Sequence, residues 1–169
     1  MPNHAIANAY SSPTESTDDA DLEAFIVEAK AASYVGGKAR ALSSRLGSHD
    51  IAHARNGWSY LDSYFGGTDF LGQETVWQDG TPVWAMNYYG RVLDHDAIDA
   101  ARAGGVIRQA LTALYRQGRF LGGISTACGD YRYVDENRGS VSGFSGVEHI
   151  EWRGWPVYRL DYHGGRVVP

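Results

Sequence analysis

Cysteine is almost missing: Cys128 stands alone in 169 residues, so no internal disulfide can form, and nothing near it offers zinc-ligand spacing. A reduced, cytoplasmic setting is the expectation. Positive charge is also short, with 15 Lys and Arg against 20 Asp and Glu and a net charge of −5. Proteins that grip a phosphate backbone concentrate cations on one face, so nucleic acid is not an expected partner. No apolar run reaches the roughly 18 residues of a membrane span, and the N-terminus lacks a basic stretch leading into an apolar core, so neither membrane helix nor signal peptide is expected. Neither a Gly-x-Gly-x-x-Gly nor a Walker pattern occurs, and Gly66-Gly67 joins two strands, so no nucleotide cofactor is expected. What is plentiful is glycine (21) and aromatic residues (11 Tyr, 5 Trp, 5 Phe), the composition of strands and turns; the 43% apolar content suits one core.

Residues 1–18 are polar and small, and read as a mobile tail ahead of a single domain over 19–169. Leu22, Phe25, Ile26, Ala29 and Ser33 form a helical stripe, with Thr17, Asp18 or Asp19 as N-cap and Gly36-Gly37 as stop. Asn56-Gly57 and Asp79-Gly80 are two-residue hairpin signals, and with Gly66–Asp69 they connect four antiparallel strands over His49–Arg55, Trp58–Phe65, Phe70–Gln78 and Thr81–Gly90. A second helix starts at Asp94 or Asp96 and runs to Gly118, with a kink or break allowed at Gly104-Gly105. Strand signals then return.

Phe70–Gly90 superimposes on Phe144–Gly164 without a gap, with eight identities in 21 positions, among them Gly72/Gly146, Glu74/Glu148 and Tyr88/Tyr162. One extra turn residue also aligns Tyr60 and Asp62 with Tyr133 and Asp135. The expected fold is α+β in two layers: a duplicated helix-plus-meander unit, about 19–92 and 94–169, with two helices on one face of a large antiparallel sheet.

A plain two-residue turn at Asp79-Gly80 pairs Glu74 with Ala85, Gly72 with Asn87 and Phe70 with Tyr89; the second copy pairs Glu148 with Arg159 and Gly146 with Asp161. Trp84, Met86, Tyr88, Tyr158, Leu160 and Tyr162 then form the helix-covered face. The opposite face would carry a ligand cleft lined by Glu74, Asn87, Glu148, Asp161 and His163, walled by Tyr60, Tyr64 and Tyr89, with Gly72 and Gly146 leaving room on the sheet. The competing reading is a solvated face with a Glu148–Arg159 ion pair, worth about 0.2–1 kcal/mol. Asp161 could orient His163 as a base, making His163, Asp161, Glu148 and Glu74 the catalytic candidates, but Ser145 falls on the other face and no nucleophile accompanies them. His49 and His53 lack a third ligand, so no metal is expected.

The runs Gly47-Ser48-His49-Asp50, Tyr60–Gly67, Gly72-Gln73-Glu74 and Pro82–Arg91, with Val157-Tyr158 and Tyr162–Gly165, resemble a bacterial family known as domain of unknown function 5680 over about Phe25 to Gly165. The resemblance implies stand-alone proteins or domains joined to a helix-turn-helix, hence effector sensing. The region before Asp19 is too short and polar for a helix-turn-helix, so DNA binding does not carry over. The leading expectation is a module for a small cationic or hydroxyl-rich ligand. The alternatives are a small hydrolase or isomerase using the His/carboxylate pair, and a homodimeric interaction protein.

Overall fold

A computed structural model of the chain describes residues 17–35 and 41–168. Most of the expected tail and the Gly36-Gly37 stop lie outside the described residues. Helix α1 (Thr17–Lys30) buries Leu22, Phe25, Ile26 and Ala29 and continues into a π-helical turn, Ala31–Val35. Thr17, Asp18 and Asp19 lie within its first turn rather than before it, where acidic groups complement the helix N-terminus; Arg166 pairs there with Asp18 at 2.9 Å and Asp19 at 2.5 Å.

Helix α2 (Ala100–Tyr115) begins later than expected. Its cap is Asp99, which accepts from the Arg102 amide at 2.7 Å, while Asp94 closes a preceding turn by accepting from the Asp96 and Ala97 amides. The helix runs unbroken through Gly104-Gly105 because Val106, Ile107, Ala110, Leu111 and Leu114 anchor it on the sheet.

Eight strands, β1 (His49–Arg55), β2 (Trp58–Gly66), β3 (Phe70–Gln78), β4 (Thr81–Val92), β5 (Ile124–Cys128), β6 (Tyr131–Ser140), β7 (Gly143–Trp152) and β8 (Trp155–Arg166), form one antiparallel sheet. The order β1-β2-β3-β4-β8-β7-β6-β5 places the two meanders side by side, joined through β4 and β8. The tight turns hold Asn56 (φ 50°), Asp79 (φ 48°) and Arg153 (φ 52°) ahead of glycines at φ 81–84°, the conformation of a type I′ turn. Both helices cover one face, where Trp84, Tyr133, Tyr158, Phe25, Ile150 and Val76 are fully buried. On the other face the Ala41–Ser48 segment covers the β1–β2 end: the Ser44 amide and Ser63 hydroxyl donate to Asp50, and Arg45 donates to Ser63.

One feature corrects the expected register. Trp77 faces Pro82, but Val76 faces Trp84, so Val83 is an extra, bulged residue; Val157 is its counterpart between Glu151/Pro156 and Ile150/Tyr158. A one-residue slip inverts the faces of a strand pair. Glu74 therefore pairs with Met86 rather than Ala85, Gly72 with Tyr88 rather than Asn87, and Phe70 with Gly90 rather than Tyr89. Glu148 likewise pairs with Leu160 rather than Arg159, and Gly146 with Tyr162 rather than Asp161.

Candidate functional site

The bulges turn both glutamates inward, under the helices. Three adjacent rows cross the sheet there. One runs Asp62–Glu74–Met86–Gly164–Phe144, the next Tyr64–Gly72–Tyr88–Tyr162–Gly146–Asn137, and the third Phe70–Gly90–Leu160–Glu148–Asp135. Two acidic pairs, Asp62/Glu74 and Asp135/Glu148, thus flank a central row of tyrosines.

Each pair is built the same way. The Tyr88 hydroxyl donates to Asp62 Oδ1 at 2.5 Å, and the Tyr162 hydroxyl to Asp135 Oδ1 at 2.7 Å. Each tyrosine must lie across the intervening strand to reach its aspartate, and the residue it crosses is glycine. A Cβ at Gly72 would collide with the Tyr88 ring, and one at Gly146 with the Tyr162 ring. These glycines make room for a tyrosine, not for a ligand on the open face. Asn137 adds a bond to Asp135 Oδ2 at 3.0 Å; its place in the first half is taken by Tyr64.

Among the described residues one buried ammonium serves this cluster directly. Lys30, at the end of α1, lies 2.7 Å and 2.6 Å from the two carboxylate oxygens of Glu74. Four carboxylates against Lys30 and the Arg119 guanidinium that acts on Asp135 leave negative charge in excess, and burial of that charge is costly. Burial, reinforced by Glu74, pushes the Asp62 carboxyl up to about 7 against the pull of Tyr88 and Lys30. Burial and Asp135 push Glu148 up to about 8, and burial raises Asp135 against its bonds from Tyr162 and Asn137. Protons supply the missing positive charge at neutral pH.

Beside the cluster a cavity of about 370 Å³ opens between the sheet and α2. Its polar floor holds Lys30, Asp62, Glu74 and Glu148; Tyr60, Tyr64, Phe70, Tyr88 and Tyr158 wall it. The roof is the Ala100, Ala103, Gly104, Ile107 and Leu111 stripe of α2, at helical spacing. A Cβ at Gly104 would meet nothing within 4 Å. The exposed His49, Gly66, Gly67 and Thr68 stand where the cavity meets solvent. Ser33, on the π-helical turn, also lines it, and its buried hydroxyl has no hydrogen-bond partner among the described residues.

The structure divides the residues expected to form one site. Tyr60, Tyr64, Glu74 and Glu148 share the cavity; Asn87, Tyr89, Asp161 and His163 lie on the opposite face, with Asn87 facing His163 and Tyr89 facing Asp161. Both oxygens of Asp161 accept from Arg159, at 2.7 Å and 2.5 Å, so the Glu148–Arg159 pair does not form and Asp161 does not orient His163. The slip also corrects Ser145, which stands directly opposite His163 on the open face and accepts from Arg138 at 3.2 Å. Sequence reasoning missed Asp62, Lys30, Ser33 and Gly104 as cavity residues. Two signals were available: Asp62 recurs as Asp135 in the aligned halves, and Lys30 continues the apolar stripe four residues after Ile26.

Among the described residues no group of three or more His, Cys, Asp or Glu has the arrangement of a metal site, and no helix is long and apolar enough to cross a membrane. Fold and cavity together define an α+β protein with an acid-floored chamber between its helical layer and its sheet. The family model described as Domain of unknown function (DUF5680) matches residues 62–167, and the chain belongs to that family. The match contains all four carboxylates and the whole of α2, while Lys30 and Ser33 precede it. No curated protein and no solved structure matches the chain.

Proposed function

We propose that this protein binds a small cationic or hydroxyl-rich molecule in the chamber beneath α2. The observation that carries the reading is the co-location of buried carboxylates in excess over their one lysine with an aromatic-walled cavity of about 370 Å³. That size lies within the range of ordinary small-molecule sites, where apolar walls exclude water and a few polar groups orient the ligand. The test is a thermal-shift screen of amines and polyols on the wild type and on Gly104→Leu, whose side chain enters the open space at Gly104. Compounds that raise the melting temperature should lose their effect in Gly104→Leu and keep it in the open-face variant Asp161→Asn. No shift from any compound, or equal shifts in Gly104→Leu, would overturn the proposal.

A second reading, acid–base catalysis by a small hydrolase or isomerase, draws on Asp62 and Glu148, whose carboxyls titrate near neutrality on the cavity floor. Its mark would be a bell-shaped pH–rate profile that Glu148→Gln removes and His163→Ala leaves intact.

The chamber's layout also supports descent from one duplicated unit. In the β4–β8 pairing Tyr88 faces Tyr162, Met86 faces Gly164 and Gly90 faces Leu160. Exchanging the aligned halves maps this set of pairs onto itself, as a pseudo-twofold axis between the two tyrosines requires. The matched bulges and the repeated tyrosine–glycine–aspartate arrangement support the same axis.

A further inference from the structure

We propose that the chamber's ligand carries a primary ammonium group, seated on the carboxylates of Asp62 and Glu148 with the Ser33 hydroxyl as a further acceptor, and an apolar body held by the aromatic walls. This rests on the binding reading above and commits it to one ligand class. Three observations on different elements converge. Asp62 and Glu148 come from opposite halves of the sheet yet line one cavity, whereas the remaining floor carboxylate, Glu74, is already ion-paired with Lys30, which donates to its Oε1 at 2.7 Å. Ser33 presents a hydroxyl that is buried, in the same cavity and without a hydrogen-bond partner among the described residues. The walls are tyrosine and phenylalanine faces, which attract cations and apolar groups. An ammonium has three donors, and two carboxylates with one hydroxyl match that number.

A fixed positive charge on the ligand would take the place of the protons that neutralise these acids. Facing Asp62 and Glu148 are Lys30 from α1 and Tyr115 from α2, with His49 at the rim on β1. From the sheet the neighbours are Asp50, Tyr60, Glu74, Tyr88, Tyr133, Asp135 and Tyr158. Of these only Lys30 brings positive charge into the floor, and Glu74 occupies it. Ammonium binding therefore expels protons, and affinity rises with pH while the amine stays charged.

Calorimetry on the full chain tests this with phenethylamine, tyramine and hexylamine, each against its neutral alcohol isostere, in two buffers of different ionisation enthalpy at about pH 6, 7 and 8. At least one amine should bind about tenfold or more tighter than its alcohol, release protons, and tighten as pH rises. Glu148→Gln and Ser33→Ala should each weaken it, with Glu148→Gln also reducing the protons released; near-UV circular dichroism checks that both fold. Equal affinity for amine and alcohol, or undiminished binding in both variants, overturns the ammonium assignment. If polyols bind in a Gly104-dependent manner while amines do not, the assignment fails and the binding reading stands; if nothing binds, both fail.

Discussion

A carboxylate cluster that holds protons at neutral pH must make the fold less stable as pH rises. Asp62 and Glu148 would titrate near 3.8 and 4.5 in an unfolded chain, whereas in the fold burial and their acidic neighbours carry them up to about 7 and about 8. A carboxyl raised by folding contributes stability fully below its unfolded value and loses it as pH climbs through its folded value. Between about pH 5 and pH 7 the native state thus holds up to two protons that the unfolded chain has released, and each costs about 1.4 kcal/mol per pH unit. Asp50, Glu28 and Asp161 shift the other way. Hydrogen bonds from Ser44, Ser48 and Ser63 overcome burial at Asp50; those from His53 and Arg55 do so at Glu28; Arg159 lowers Asp161. Their contribution is complete above about pH 5 and is lost only in acid, so it does not offset the decline. For a domain whose whole stability is about 5–15 kcal/mol, a fall approaching 3 kcal/mol per pH unit is easily measured. Urea unfolding at intervals from about pH 5 to pH 8 should show it, and Glu148→Gln should flatten the slope by about one proton's worth. Stability that is level or rising across that window, or an unchanged slope in Glu148→Gln, would refute the placement of unneutralised acids in the core.

Three further outcomes test the surrounding construction. Gly72→Ala and Gly146→Ala each drive a methyl group into a tyrosine ring that cannot move without releasing its aspartate, and each should cost about 1–3 kcal/mol in chemical denaturation. Lys30→Met leaves Glu74 buried without a counter-charge and should cost about 3–5 kcal/mol, much of it restored in the double variant Lys30→Met/Glu74→Gln. Gly105→Ala, on the exposed side of α2 with open space around it, should stabilise by about 0.5–1 kcal/mol, seen as a higher melting temperature.

Much of the fold was legible because it is written in local chemistry. Asn56-Gly57 and Asp79-Gly80 readily hold positive φ, so those hairpins follow from residue type, and helix α1 follows from its apolar spacing. The start of α2 was misplaced because three aspartates compete for the cap; Asp94 has the same chemistry as Asp99 but closes a turn before the helix begins. Faces were harder. Val83 and Val157 look like ordinary strand residues, and no glycine or proline marks the bulged positions, although Pro82 and Pro156 stand just before them. Proline has no amide to contribute to the ladder, so a register shift directly after it is physically reasonable, and both hairpins show one. One undetected residue in each hairpin was enough to send Glu74 and Glu148 to the wrong side of the sheet.

That error bears on how the chamber came to be tolerable. Acids on an open face would be solvated at little cost, but the bulges commit four carboxylates to the covered side, and no apolar substitution pattern would require that arrangement for folding alone. The fold meets the cost with specific devices in each half: a tyrosine laid across a glycine to reach an aspartate, and, for the first half only, a lysine delivered by α1. Both glutamates line the cavity, but Glu148 has no such ion pair, and Lys30 acts on it only at longer range. An otherwise matched pair of half-sites is therefore asymmetric in charge at the point where a ligand would enter. Lys30→Met/Glu74→Gln separates the two halves: it removes the first half's ion pair and leaves Glu148 in place. If Glu148 with Asp62, rather than the Lys30–Glu74 pair, seats the ammonium, amine affinity should survive this double change and be weakened in Glu148→Gln, whereas the reverse pattern would overturn that seat.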